Sequence, residues 1–217
     1  MDFDALTVLG AEVQQRLAAV AGTRRFAAKE VIFHAGDIGD AIFLIRSGRV
    51  AVRIVTEHGD NMTLALLGPG DSFGELALLA PSGRRSATVT AIEPTETWTL
   101  TRNQLMQSGR DQSVVEALLI DMLARQVRRL TGQLTEALYV PVRHRVARVL
   151  LDLCRQQRST GERVSLRITQ DDLAGLTGAT RPTVNQVLRT LEQAGALELR
   201  RGRIDVIDRE VLVRHRG

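Results

Sequence analysis

An α+β chain in three parts is what this sequence predicts: a jelly-roll-like β roll, one long helix, and a small helical domain closed by a two-stranded ribbon. Three observations predict it. Residues 26–105 run as short β-branched or alternating stretches broken by glycine; residues 113–138 repeat apolar positions every three or four, with Gly132 as their only glycine or proline; and residues 169–195 carry the caps and the glycine turn of two helices. With 217 residues, 44% of them hydrophobic, the chain can bury one good core or two modest ones.

The first element is a helix over residues 5–20, where Leu6, Leu9, Val13, Leu17 and Val20 keep helical spacing and would pack on the roll. The roll follows as "EVIFHAGD", "AIFLIRSGRVAVRIV", "MTLALLGPGDSF", "RSATVTAI" and "ETWTLTRNQL". Stretches this short, with turn signals about every 8–12 residues, are those of a compact antiparallel barrel or roll. The long helix then places Leu123, Val127, Leu130, Leu134 and Ala137 at steps of 4, 3, 4 and 3, the seam of a parallel coiled coil, and so predicts a homodimer. An amphipathic helix lying on the roll would carry a similar stripe; polar residues on both flanks, and a position between two domains, favour the seam.

Pro141 stops or restarts that helix, which makes residues 138–140 a hinge. Beyond it "VRHRVARVLLDLCRQ" is helical and "RVSLRI" is a short strand. Thr169 then caps a helix whose first turn holds Asp171 and Asp172, where the helix dipole favours acids. Gly178 turns the chain, and Thr180 caps a second helix with Pro182 in its first turn. Leu173, Ala174 and Leu176 face inward, against Val184, Val187, Leu188 and Leu191. "ALELRRGRIDVID" reads as two strands around an Arg-Gly turn, so the C-terminal domain is a winged helix-turn-helix. The predicted division is 1–112 for the roll domain, 113–138 for the dimerisation helix and 139–217 for the winged domain.

Charge is divided unevenly along the chain. Residues 140–217 hold 15 arginines against 9 acidic residues, a net of +6, whereas residues 1–139 hold 14 basic against 16 acidic, a net of −2. A polyanion-binding domain would produce that asymmetry; a solvated arginine-rich surface gives the same count in a chain whose only lysine is Lys29. The second helix is more specific. It leaves Arg181, Thr183, Asn185, Gln186 and Arg189 exposed, and an α-helix fits the major groove of double-stranded DNA, where Arg donates twice to guanine and Asn or Gln pairs with adenine. Thr169, Gln170 and Thr180, at the starts of the two helices, complete that face, and Arg201 with its neighbours Arg200 and Arg203 in the wing would meet phosphates.

A second constellation lies in "FGELALLAPSGRRSATV", residues 73–89. Arg85 offers a fixed cation in a planar fork and Ser86 adds a hydroxyl and a backbone N–H, which together suit a phosphate. Glu75 accepts from hydroxyls, as a ribose would require, and Gly74 permits close backbone approach. The four residues describe a sugar-phosphate pocket; taken alone, their spacing also suits a plain surface salt bridge.

These residues resemble the Crp/Fnr family of bacterial transcription regulators over nearly the whole chain. "GDIGDAIFLIRSGRV" is similar to the family's β-roll turn, "FGELAL" followed by "RRSA" to its phosphate-binding cassette, and "TRPTVNQVLRTLEQAGAL" to its recognition helix. The resemblance implies that the roll is a cyclic-nucleotide-binding domain in which Gly74, Glu75, Leu76, Arg85 and Ser86 take the ribose and cyclic phosphate of cAMP, an allosteric effector. It places Leu130 and Thr131 where a Thr-Ser pair contacts adenine. It implies a homodimer on a palindromic DNA site, with RNA polymerase as a further partner. Arg181-Pro182-Thr183 stands in place of the family's Arg-Glu-Thr, and Gln186 where an Arg is common, so the half-site should differ at one or two base pairs. The alternative is a regulator of the same build that binds DNA without a cyclic nucleotide or senses another effector.

Other classes fit poorly. Cys154 is the only cysteine, which excludes internal disulfides, Cys-rich zinc sites and four-Cys iron–sulfur clusters, and it reads as a buried hydrophobe. His34, His58, His144 and His215 are scattered without metal-ligand spacing, and no Ser or Cys nucleophile has an evident base, so neither a metal site nor an enzyme is expected. With no basic-then-apolar leader and no run of about 18 apolar residues, the expectation is a cytoplasmic protein with no membrane association.

Overall fold

The computed structural model describes residues 11–57, 61–108, 112–156 and 163–215. Leu6 and Leu9 of the first predicted helix lie outside the described residues. Two compact units are present. One comprises the chain through Ile54 together with Ala65–Arg129; the other comprises Val55–Leu64 and the chain from Leu130 onward.

Among the described residues α1 (Ala11–Val20) precedes eight strands, all in the first unit apart from Val55 of β4 and Asn61–Leu64 of β5: β1 (Gly22–Phe26), β2 (Val31–Phe33), β3 (Ala41–Ser47), β4 (Val50–Val55), β5 (Asn61–Leu67), β6 (Ser72–Phe73), β7 (Thr88–Ala91) and β8 (Thr95–Thr101). They form two four-stranded sheets in the orders β1-β8-β3-β6 and β2-β7-β4-β5, the predicted roll. β3 is buried along both faces, which is why it reads as an unbroken apolar run rather than an alternating one. Phe43 and Ile45 face the interior of the roll with Phe26, Val50, Phe73 and Val89. Ile42 and Leu44 face the other way, against Leu17 of α1, Leu78 of α2 (Glu75–Leu79), Leu105 of α3 (Arg102–Ser108) and Val115, Leu118 and Met122 of α4 (Gln112–Tyr139).

Two helices here depart from the sequence reading. α2 falls inside the cassette, and α3 takes the end of the stretch read as strand. α3 is closed by a capping box: Thr101 Oγ1 accepts from the Gln104 N–H at 3.2 Å, and Gln104 Oε1 accepts from the Thr101 N–H at 2.9 Å. β1 also extends the roll upstream of Phe26, where the sequence reading began it.

The second unit carries α5 (Val142–Gln156), β9 (Val164–Leu166), α6 (Gln170–Thr177), α7 (Arg181–Gln193), β10 (Leu197–Arg200), β11 (Arg203–Val206) and α8 (Arg209–Arg214). α5 opens directly after Pro141 and buries Val146, Ala147, Leu150, Leu153 and Cys154 on one face. Leu173 of α6 and Val184, Leu188 and Leu191 of α7 close the same core. Each fully buried Leu contributes on the order of 2 kcal/mol of transfer free energy. β10 and β11 pair across Arg201-Gly202 and β9 joins on the other side of β11, the predicted wing. α8, for which the sequence pattern gives no expectation, is capped by Asp208.

Candidate effector pocket and nucleic-acid interface

Arg85 and Glu75 are buried, each 7% exposed, so they are not the surface salt bridge their spacing alone would allow. Gly74 explains part of the geometry. It sits at φ +91° ahead of α2, and a Cβ there would lie 2.6 Å from Arg85 Nη1 and 3.1 Å from the Ala41 carbonyl oxygen. Arg85 Nη1 donates to the carbonyls of Gly74 at 2.8 Å and Ala41 at 2.9 Å. Its guanidinium carbon lies 4.2 Å from the Phe33 ring centroid and 5.6 Å from that of Phe43, an aromatic floor for the cation. Arg85 Nε is buried with no hydrogen-bond acceptor among the described residues. Burial pushes the Arg85 pKa down, against the pull of Asp40, Glu75 and Asp37. Burial likewise pushes the Glu75 carboxyl up, opposed by its own backbone hydrogen bond and by Arg129 and Arg85. A buried cation with an uncommitted N–H, beside a buried carboxylate, is suited to an anion that also carries hydroxyls.

The second candidate site is on the helix-turn-helix. Thr169 and Asp172 form a full capping box on α6, which ends at Gly178 in the left-handed conformation (φ 57°), and Thr180 Oγ1 caps α7 by accepting from the Thr183 N–H. Arg181, Thr183, Gln186 and Arg189 are exposed on α7 and Asn185 is half-buried. They are not isolated. Arg181 pairs with Asp171 at 3.4 Å, and Gln170 Nε2 donates to Asn185 Oδ1 at 3.3 Å. In the wing, Arg200 pairs with Glu198 and Asp205, and Arg203 with Asp205, whereas Arg201 at the turn is exposed and in no such pair among the described residues.

Along α4, Val127 and Leu134 are each 60% exposed, and Leu130 and Leu138 are exposed with them. Buried apolar residues on this helix end at Met122; of the predicted seam, Leu123 is half-buried and Val127, Leu130, Leu134 and Ala137 are exposed in the single chain.

Two family profiles match the chain. Residues 23–110 match a cyclic nucleotide-binding domain and residues 144–215 a Crp-like helix-turn-helix domain. The cyclic AMP receptor protein of Thermus thermophilus is 38% identical over 181 residues, 83% of this chain and 82% of the relative. This chain belongs to the Crp/Fnr family of transcription regulators. A CRP-like cAMP-activated global transcriptional regulator of Mycobacterium tuberculosis is 32% identical, covering 84% of this chain and 83% of the relative. Among solved structures, TTHB099, a transcriptional regulator of the CRP family from Thermus thermophilus, matches 89% of this chain and 96% of its own with a TM-score of 0.73 at 27% identity. The c-di-GMP responsive regulator CLP of Xanthomonas campestris shares the fold at a TM-score of 0.74 and 22% identity, over 92% of this chain and 99% of that one.

Within this family frame, the structure brings Gly74, Glu75 and Arg85 together, with Leu76 half-buried in α2 and Ser86 exposed beside Arg85. Leu130 and Thr131 are exposed on α4 and belong to the second unit. The sequence reading missed Phe33 and Phe43 beneath Arg85, and nothing in their spacing marks them. It also missed Gly39, whose position leaves no room for a Cβ against Arg85 Nε, and the pairing role of Asp171.

Proposed function

We propose that this regulator is cAMP-responsive and binds a palindromic DNA site as a homodimer. The observation that carries the effector half is the buried Arg85, with its unbonded Nε, beside the buried Glu75. Arg85 would hold the cyclic phosphate, assisted by Ser86 and the backbone at Leu76; Glu75 would accept from the ribose hydroxyl; Gly74 admits the sugar. Leu130 and Thr131 would meet the base, as matched to the family. The relatives named for cAMP, at 38% and 32% identity, support this choice of nucleotide.

The DNA half assigns Arg181, Thr183, Asn185, Gln186 and Arg189 to base edges, and Thr169, Gln170, Thr180 and Arg201 to the backbone and the margins of the site. The exposed stripe Val127, Leu130, Leu134 and Leu138 would be covered by the same stripe of a second copy. We assign 1–112 to effector binding, 113–138 to dimerisation and 139–217 to DNA, with RNA polymerase as a further partner. Effector binding shifts a population: the form in which the two recognition helices stand about 34 Å apart, the general spacing for dimeric helix-turn-helix proteins, gains by the effector's preference for it.

A second reading is favoured by one observation: Leu130 cannot hydrogen-bond a base, so the pocket can serve a different effector or none. Calorimetric titration with cAMP, with cGMP and c-di-GMP as controls, decides between them. Micromolar or tighter cAMP binding with weaker binding of the others supports the first reading. Absence of heat and of thermal shift with cAMP overturns it and leaves the regulator with another effector or none.

A further inference from the structure

The first turn of α6 is tied down on two sides. On one side is Thr63 of β5, 109 residues upstream, whose hydroxyl donates to Asp172 Oδ1 at 2.9 Å. Both are buried, Thr63 at 2% and Asp172 at 4% exposure. The other carboxylate oxygen of Asp172 accepts from the Thr169 N–H at 3.2 Å and the Thr169 hydroxyl at 2.8 Å, so the residue Thr63 holds is the N3 partner of the N-cap Thr169 in the capping box of α6. The backbone of Thr63 presses on the same helix: a Cβ on Gly175 would lie 2.5 Å from its carbonyl oxygen and 2.6 Å from its nitrogen. Leu64, next in β5, accepts from Gln133 Nε2 of α4 at 3.2 Å, which fixes the strand from behind.

On the other side, the two residues between Thr169 and Asp172 reach α7. Gln170 bonds Asn185 and Asp171 pairs with Arg181. The Arg181–Asp171 pair is exposed, at 64% and 59%, while the Gln170–Asn185 bond is part-buried, and an exposed pair is worth at most about 1 kcal/mol and holds no geometry by itself. The geometry comes from where the turn carrying Gln170 and Asp171 is placed. That turn is anchored by the buried bond to Thr63, because a hydrogen bond to a buried carboxylate is worth more than an exposed surface pair.

We propose that Thr63 is a positioning residue for DNA recognition: its hydroxyl fixes the first turn of α6 and, through Gln170 and Asp171, the orientation in which Asn185 and Arg181 meet base edges. The inference rests on the reading of α7 as the base-reading helix.

The experiment uses the full chain and a duplex selected by the wild-type protein from a random pool with cAMP present. Thr63→Val keeps the shape and removes the donor. Its affinity for the selected duplex should fall about tenfold, while its affinity for a random duplex stays within about twofold. Thr63→Ser, which restores the donor, should return the selected-duplex affinity. Gly175→Ala keeps hydroxyl and carboxylate but forces the strand away, and should reproduce the loss of discrimination. Calorimetry with cAMP on each variant reports on the roll independently. Undiminished discrimination in both Thr63→Val and Gly175→Ala overturns the role, and so does an equal loss on both duplexes. A wild-type protein that selects no preferred duplex removes the base-reading assignment itself, and the positioning role falls with it.

Discussion

The candidate pocket in the roll and the exposed face of α7 both carry an arginine, and they hold it in opposite ways. Arg85 is buried on an aromatic floor, bonded twice to backbone carbonyls, with one N–H left without an acceptor among the described residues. Arg181 is exposed and rests against an equally exposed Asp171. A desolvated cation cannot compensate with water when its ligand is lost, so under the proposed function binding free energy in the roll would concentrate on one or two residues. An exposed cation exchanges one partner for water at little cost, so under the proposed function recognition on α7 would be spread over several side chains and add up by small amounts.

The largest effect expected from this contrast is in the roll. Arg85→Leu should weaken cyclic-nucleotide binding by roughly 3 kcal/mol or more, on the order of 100-fold, while far-ultraviolet circular dichroism and thermal melting report an intact fold. Unchanged affinity would remove the pocket from the account.

Next comes the recognition helix. Arg181→Ala should cost about 1–3 kcal/mol on the selected duplex and much less on random DNA, measured by fluorescence anisotropy. An equal loss on both would reassign Arg181 to phosphate and bring the two regions closer in character.

Glu75→Gln sharpens the contrast by pH. Unfolded, Glu75 ionises near its ordinary value of 4.5, and folded it ionises higher because it is buried. As pH rises between those two values the unfolded state has already lost its proton and the folded state has not, so the wild-type protein loses stability across that window. The glutamine variant has no proton to lose. Its melting temperature relative to wild type should therefore be higher at about pH 7 than at about pH 4, with cAMP affinity lowered about tenfold, roughly 1.4 kcal/mol. A melting difference that ignores pH would show that the folded carboxyl is effectively solvated.

The smallest effect is expected in the wing. Arg201→Ala should weaken selected and random duplexes alike, by less than about 1 kcal/mol, and reduce the salt slope of binding by about one. Loss confined to the selected duplex would make the wing a reader of sequence.

How much of this was legible in the chain varies by element. α5 was readable over its whole length because it is bounded by Pro141 and carries one apolar face, and α6 and α7 because Thr169, Gly178, Thr180 and Pro182 are local signals that act within a few residues. α3 had such a signal in Thr101-Arg102-Asn103-Gln104, obscured because it follows directly on a β-branched strand. α2 spans five residues, too few for a helical period to emerge. Gly74, Glu75 and Arg85 stand out in the sequence by type and spacing and are matched to the cassette by the family resemblance, whereas their burial was not visible in the sequence.

By itself the sequence determined the order of the parts, the caps and turns of the helix-turn-helix, the apolar stripe of α4 and the residue types available to phosphate, sugar and base. These follow from interactions among near neighbours in the chain and from the periodicity of one element. Only the tertiary structure decided that Arg85 lies over Phe33 and Phe43, that its Nε lacks an acceptor while Glu75 is desolvated, and that Thr63 of a β strand holds Asp172 at the start of α6. Each of those depends on segments brought together from tens of residues apart, where burial and the loss of water, rather than residue type, set the strength of a contact.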